Sequence, residues 1–310
     1  MFLIRNSETA DPALNLALEE YCLRNLDPGF EYLLFYINRP SIIIGRHQNP
    51  FQEFNQKLAR QKKILLVRRI SGGGAVYHDP GNLNFSFITD FPEEKLDYFK
   101  TLIGPILNTL QRLGVPAQLT EKNNIVVDGK KVSGNSQHTN MRRMLSHGTL
   151  LFDSELEFLQ QVLDSNLVIT QSRAVSSIKS KVTNISEHLR HPMGMDAFRS
   201  EIVDAISDAF GKLGEYRLTA EDREAVQRLA KEKYNSWNWT FGRSPEFAVR
   251  HKIWLNSGHV DAHLIVNNGI IKDIQMRNHS ADSSSIGRIS QEFIGKRYDL
   301  KFPGNKTVKK

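Results

Sequence analysis

The sequence predicts an α+β protein built as one large domain followed by a small one, and three observations carry that reading. Short β-forming runs and amphipathic helical patterns are interspersed without the regular strand–helix–strand alternation of a parallel sheet. A chain of 310 residues exceeds the usual size of one domain. A turn-rich segment, Phe241-Gly242-Arg243-Ser244-Pro245, precedes three strand-like runs separated by Asn256-Ser257-Gly258 and Asn267-Asn268-Gly269. The expected division is therefore residues 1–243 and 244–310, with a short helix near Ser290 in the smaller part.

The elements follow in order. Asp11-Pro12 sets an N-cap before a proline at the first helical position, and Leu14, Leu18, Tyr21 and Cys22 then recur at helical spacing, so the chain opens with an amphipathic helix. Cys22 lies on the apolar face and reads as a packed small hydrophobe, not a nucleophile. Strands are expected over 32–37, 41–44, 64–67 and 84–89, and a helix from about Leu96 to Leu113, ended by Gly114. Ile125-Val126-Val127, Asp128-Gly129 and Lys130 to Ser133 predict a tight hairpin, because an Asp-Gly pair suits the left-handed turn that joins twisted strands. Helices follow over 196–213, with Phe198, Ile202, Ile206 and Phe210 on one face, and over 220–234.

Composition excludes several classes. Hydrophobic residues at 40% and charged residues at 24% leave no case for disorder. Apolar runs such as Ile42-Ile43-Ile44 are too short to cross a bilayer, and Met1 to Arg5 lacks the layout of a signal peptide, so a soluble, cytoplasmic protein is expected. One cysteine permits no internal disulfide and no Cys cluster for zinc. The net charge of +7 favours an anionic partner, whether nucleic acid, nucleotide or acidic protein.

Two stretches carry chemistry. In Val67-Arg68-Arg69-Ile70-Ser71-Gly72-Gly73-Gly74-Ala75-Val76-Tyr77-His78-Asp79, three glycines after a strand let backbone N–H groups approach a phosphate or carboxylate, and Arg69 adds a forked cation. Neither GxxxxGK[ST] nor GxGxxG is present. In the hairpin, strand alternation puts Lys131 and Ser133 on one face and Lys130 and Val132 on the other. A lysine held there could donate to an α-phosphate and an acyl oxygen together.

These stretches, with Ser146-His147-Gly148-Thr149-Leu150-Leu151-Phe152, Ser180 to Ile185, Trp237 to Phe247 and Ile294 to Tyr298, closely resemble the lipoate–protein ligase A family along nearly the whole chain. The resemblance implies a mixed β-sheet catalytic domain of the biotin/lipoate ligase type with a small α+β C-terminal accessory domain that swings between the two steps. It implies ATP-dependent activation of lipoate to lipoyl-AMP and transfer of the lipoyl group to a lysine of a lipoyl domain. Lys131 then corresponds to the lysine that contacts both adenylate phosphate and lipoate carboxyl. Arg69, Gly74, Ala75, Val76 and Tyr77 match the nucleotide-binding loop, while Gly72, Gly73, His78, Asn82, Ser133 and His147 match positions that shape the lipoate pocket. Mg²⁺ is expected with ATP, no metal ligands are assigned, and the acceptors implied are 2-oxoacid dehydrogenase E2 subunits and the glycine cleavage H protein, met by a monomer.

Two other readings compete. The family usually carries Asn-Asp where this chain has Asn123-Asn124, and loss of that carboxylate makes a lipoyltransferase that takes preformed lipoyl-AMP the nearest alternative to the ligase. A nucleic-acid-binding protein would account for the charge through Arg68-Arg69, Arg142-Arg143 and the tail Lys306 to Lys310, but no nucleic-acid-binding signature accompanies these residues. His188-Leu189-Arg190-His191 lacks the carboxylate or cysteine company of a metal site and reads as a solvated turn.

Overall fold

The computed structural model describes residues 1–5, 9–91, 98–140, 142–165, 167, 169–255, 258–278 and 291–298. In chain order the elements are β1 (Phe2–Arg5), α1 (Pro12–Asn25), β2 (Tyr32–Tyr36), β3 (Ser41–Ile44), α2 (Pro50–Glu53), α3 (Gln56–Gln61), β4 (Leu65–Arg68), β5 (Val76–His78), β6 (Asn82–Asp90), α4 (Tyr98–Arg112), β7 (Ala117–Leu119), β8 (Ile125–Val127), β9 (Lys130–Ser133), β10 (Asn135–Thr139) and β11 (Arg143–Leu151). There follow α5 (Leu156–Val162), β12 (Ile169–Ser172), α6 (Met195–Phe210), β13 (Gly214–Arg217), α7 (Ala220–Leu229), α8 (Trp237–Thr240), β14 (Phe247–Leu255), β15 (Gly258–Asn267) and β16 (Ile270–Asn278).

The main sheet is mixed, in the order β10-β11-β6-β2-β1-β13, with β1 parallel to both β2 and β13 and the other pairs antiparallel. Both its faces are covered, which is why β2 reads as the unbroken apolar run Tyr32-Leu33-Leu34-Phe35-Tyr36. Leu33 and Phe35 point into a core shared with α4 and α6, whereas Tyr32, Leu34 and Tyr36 point into a second core beneath α1 and α7. Two three-stranded sheets, β4-β3-β5 and β7-β8-β9, flank this layer.

Most predicted elements are found, with two physical differences. Asp11 caps α1 as expected, its carboxylate accepting from Ala13 N and Leu14 N. Yet α1 is buried nearly all round, with Asn15, Glu19 and Glu20 inside as well as Cys22. The helix read over 220–234 ends in one widened turn, Ala230–Tyr234. The predicted start of α4 at Leu96, the turn residues Asn256 and Ser257 and the tail Lys306 to Lys310 lie outside the described residues.

Beyond the Phe241–Pro245 turn, β14, β15 and β16 form an antiparallel sheet around Phe247, Val249, Leu264, Val266, Ile271 and Tyr298, followed by a helical turn at 291–293. This sheet draws on earlier parts of the chain. β12 pairs with β14, and the Phe51 ring packs 4.7 Å from Tyr298 and 5.6 Å from Phe247.

Candidate active site

Two cavities meet beside the glycine-rich loop. The inner one, about 440 Å³, is walled by Leu16, Tyr36 and Ile43 together with Arg69, His78 and His147. The outer one, about 1070 Å³, opens between α3, α5 and the segment around 177–182 and carries Lys57, Lys179 and Lys181 on its walls. Ala75, Val76, Lys131, Gly134, Thr149 and Ser177 line both. Lys131 therefore stands at the junction.

The hairpin that carries Lys131 folds as predicted, with Asp128 at φ 49° and Gly129 at φ 71° in the turn. Ile125 pairs with Ser133 and Val126 with Lys131, so Val132 is the extra residue of a β-bulge and turns its side chain into the main core. Lys130 is exposed. Gly134 clears the space Lys131 occupies: a Cβ there would come within 2.7 Å of Nζ. The ammonium has no hydrogen-bond or ion-pair partner among the described residues, and burial, reinforced by the nearby Arg69 cation, lowers its pKa. A half-buried, unpaired cation between two cavities is suited to an anion.

The glycine loop is held from within. Gly73 sits at φ 90°, a conformation that favours glycine. Arg69, expected to reach outward to a phosphate, instead donates to Ser71 Oγ at 3.0 Å and to the carbonyls of Ile43, Gly72 and Gly74 at 3.1, 2.6 and 2.8 Å. It is 7% exposed, and burial lowers its pKa to about 10. Its visible work is to shape the loop. Arg68, fully buried, donates to the carbonyls of Gly45, Arg46 and Gln48 and to those of Trp239 and Thr240, tying the loop after β3 to the turn that precedes β14.

A buried polar network backs the inner cavity. His147 Nε2 lies 2.7 Å from Ser71 Oγ, and His147 Nδ1 donates to Glu19 at 2.9 Å. The Glu19 carboxylate also accepts from Tyr36 OH at 2.9 Å and from the Ser86 hydroxyl. On the adjoining wall, Asn15 donates to Asn38 at 2.8 Å and Asn38 Nδ2 to His78 Nδ1 at 2.9 Å, so the His78 ring proton sits on Nε2. That nitrogen is buried without a partner among the described residues, and burial with the neighbouring Arg69 and His147 lowers the His78 pKa to about 3. His78 is a neutral donor.

The remaining predicted residues divide. Gly73, Gly74 and His147 line the inner cavity, Tyr77 and Ser133 the outer, and Ala75 and Val76 both. Gly72 and Asn82 line neither; Asn82 acts at one remove by donating to Asn84, which does line the inner cavity. Sequence reasoning missed Glu19, Tyr36, Asn84, Glu53 and Ser177. For Glu19 a signal existed: apolar residues at 13, 14, 16, 17, 18, 22 and 23 wrap most of α1, which predicts burial of its polar positions too.

Cys22 is fully buried, lines neither cavity, and has its thiol pKa raised by burial. It has none of the exposure that a covalent thioester requires. Arg68, Arg69 and Arg143 are turned inward onto carbonyls, which removes them from any nucleic-acid surface. His188 bonds Thr183, and no group of three His, Cys, Asp or Glu side chains able to hold a metal occurs among the described residues.

The chain matches the lipoyl protein ligase A/B catalytic domain family over residues 11–207 and the bacterial lipoate protein ligase C-terminus over residues 244–302. It is 43% identical to the lipoate–protein ligase LplJ of Bacillus subtilis, covering 96% of this chain and 91% of that one. Among solved structures it is similar to a lipoate–protein ligase A bound with ATP, at 26% identity and a TM-score of 0.68, over 77% of this chain and 98% of that one. It is also similar to a bipartite archaeal lipoate protein ligase from Thermoplasma acidophilum, studied with its E2 lipoyl domain, at 25% identity and a TM-score of 0.67, over 77% and 95%.

Proposed function

The chain belongs to the lipoate–protein ligase family, and from that premise we propose that lipoate occupies the inner cavity, ATP the outer one, and that both half-reactions run at Lys131. The observation that carries this assignment is the position of Lys131 on the wall the two cavities share. A lipoate carboxylate oxygen attacks the α-phosphorus of ATP, and the bond to diphosphate breaks. The acceptor lysine amine then attacks the acyl carbon, the bond to AMP breaks, an amide forms and the amine loses its proton. In both steps negative charge gathers on oxygens beside the Lys131 ammonium, which neutralises it without forming a covalent bond to the substrate.

The walls fit the two substrates in kind. Leu16, Tyr36 and Ile43 offer the inner cavity an apolar surface for an acyl tail. Lys57 and Lys181 offer the outer one cations for a triphosphate, beside Lys179, which is paired with Asp164 at 2.6 Å. Arg69 supports the nucleotide loop from behind, and Asn82 supports Asn84. Mg²⁺ enters bound to the triphosphate, keeping phosphate and water oxygens as its ligands. The acceptor is a lipoyl domain of an E2 subunit or the glycine cleavage H protein, and the enzyme works as a cytoplasmic monomer. No helix among the described residues is long and apolar enough to cross a membrane. Residues 244–310 act as the accessory domain.

The test is the intact mass of an apo lipoyl domain incubated with the protein and either lipoate plus Mg-ATP or presynthesised lipoyl-AMP. A gain of one lipoyl group in both reactions is expected. Modification from lipoyl-AMP alone would make the protein a transferase.

A further inference from the structure

We propose that Ser177 is a positioning residue whose hydroxyl pins the strap 173–182 to the glycine-rich loop, so that the acyl-adenylate is kept from water between the two half-reactions. The inference rests on the assignment of both cavities to one reaction at Lys131. It concerns a residue that touches neither reacting bond in that scheme and acts through the segment it holds.

The strap joins three parts of the molecule. At one end, β12 pairs with β14 and Arg173 N donates to Glu246 O at 3.0 Å, anchoring it to the C-terminal sheet. At the other, Lys131 N donates to Lys181 O at 2.8 Å and Thr183 N to Lys131 O at 3.2 Å, so the strap is paired with the backbone of the junction lysine itself. Between these anchors the described strap is irregular backbone, in which Val175 and Ile178 are 52% and 79% exposed.

Mid-strap, Val175 N donates to His47 O at 3.2 Å, Gln52 to Ser176 Oγ at 2.5 Å and Lys179 to Asp164 at 2.6 Å, and the attachment that reaches the glycine loop is Ser177. Its hydroxyl accepts from Ala75 N at 2.8 Å and from Gln48 Nε2 at 2.9 Å and donates to Glu53, whose same carboxylate oxygen accepts Ser177 N at 3.1 Å. A hydroxyl has one proton to give and two lone pairs to accept with. All are used, each on a different element: the glycine loop, the loop after β3, and α2. Gln48 is itself oriented by accepting from Gly45 N at 2.8 Å. Ser177 packs against Gly74, where an added Cβ would meet its Oγ at 3.1 Å, and Ser177 and Ile178 form part of the wall of both cavities. A strap pinned there closes the region where the mixed anhydride would lie. Released, it would admit water to the acyl carbon: the bond from acyl carbon to phosphate oxygen breaks, lipoate and AMP leave, and one ATP is consumed without product.

The experiment uses the full chain with lipoate and Mg-ATP, and follows AMP release first without any acceptor domain and then with one. Without acceptor, Ser177→Ala is expected to release AMP roughly fivefold faster than wild type, the factor that one ordinary hydrogen bond corresponds to. Ser177→Cys, similar in shape but a weak hydrogen-bonder, leaks in the same way. Glu53→Leu, which removes the acceptor of the Ser177 hydroxyl proton, is expected to leak as the serine variants do. Acceptor-free AMP release equal to wild type in both folded serine variants overturns the proposal, whatever happens to overall turnover. The arm with acceptor reports separately on the lipoyl-domain assignment, since failure there leaves the acceptor-free comparison intact.

Discussion

Replacing Lys131 by alanine is expected to lower lipoylation of an acceptor domain by about 10²–10³-fold, the usual cost of removing one donor aimed at charge that develops in a transition state. Both half-reactions lose the same cation, so the defect should appear with lipoate plus Mg-ATP and again with presynthesised lipoyl-AMP. The fold should survive, because the ammonium has no partner among the described residues to leave unsatisfied. Intact-mass kinetics of the acceptor measure the effect; a variant defective in one half-reaction alone would confine the role of Lys131 to that step. The free enzyme's Lys131 has its pKa lowered by burial and by Arg69. Its cationic form is therefore lost, as pH rises, below the ordinary lysine range. The alkaline limb of kcat/KM, which reports free-enzyme groups, should lie there and disappear in the alanine variant.

The largest stability effect is expected at Glu19. Its carboxylate is 1% exposed and accepts from His147, Tyr36 and Ser86, so Glu19→Ala strands three buried donors around a new void. The expected loss is roughly 3–5 kcal/mol, the range seen when one partner is removed from a buried charged network. In a chain of this size that lowers the unfolding midpoint on the order of 10 °C. Glu19→Gln keeps an acceptor and should lose less than half as much. Urea denaturation of the two variants makes the comparison, and equal stability of Glu19→Ala and wild type would show that the network contributes nothing net.

Local signals made much of the fold legible. The Asp-Pro start of α1, the Asp-Gly hairpin and the apolar stripe of α6 each specify an element within a few residues, because capping, turn conformation and periodicity act over that range. The pairing of β12 with β14 was not legible, since strand pairing across 77 residues leaves no local pattern (Gln171 to Ala248). The site divides in the same way. Strand alternation limited the cavity wall to one of two adjacent lysines and the family resemblance selected Lys131, which lines both cavities in spite of the bulge at Val132. The carbonyl partners of Arg69 were not legible, because which carbonyls a guanidinium meets depends on tertiary placement. Glu19 and Ser177 come to the site from α1 and from the strap, distant in sequence from the glycine loop, and act only through contacts that the fold creates.

Two cavities that share one lysine wall amount to the claim that this chain activates lipoate itself before passing it on. The direct measurement is lipoate-dependent exchange of labelled diphosphate into ATP, without acceptor, which reports the first half-reaction alone. Exchange is expected from the wild-type chain when lipoate is present, none without lipoate, and none from Lys131→Ala. Absence of exchange by a wild-type chain that still lipoylates a domain from presynthesised lipoyl-AMP would contradict that claim.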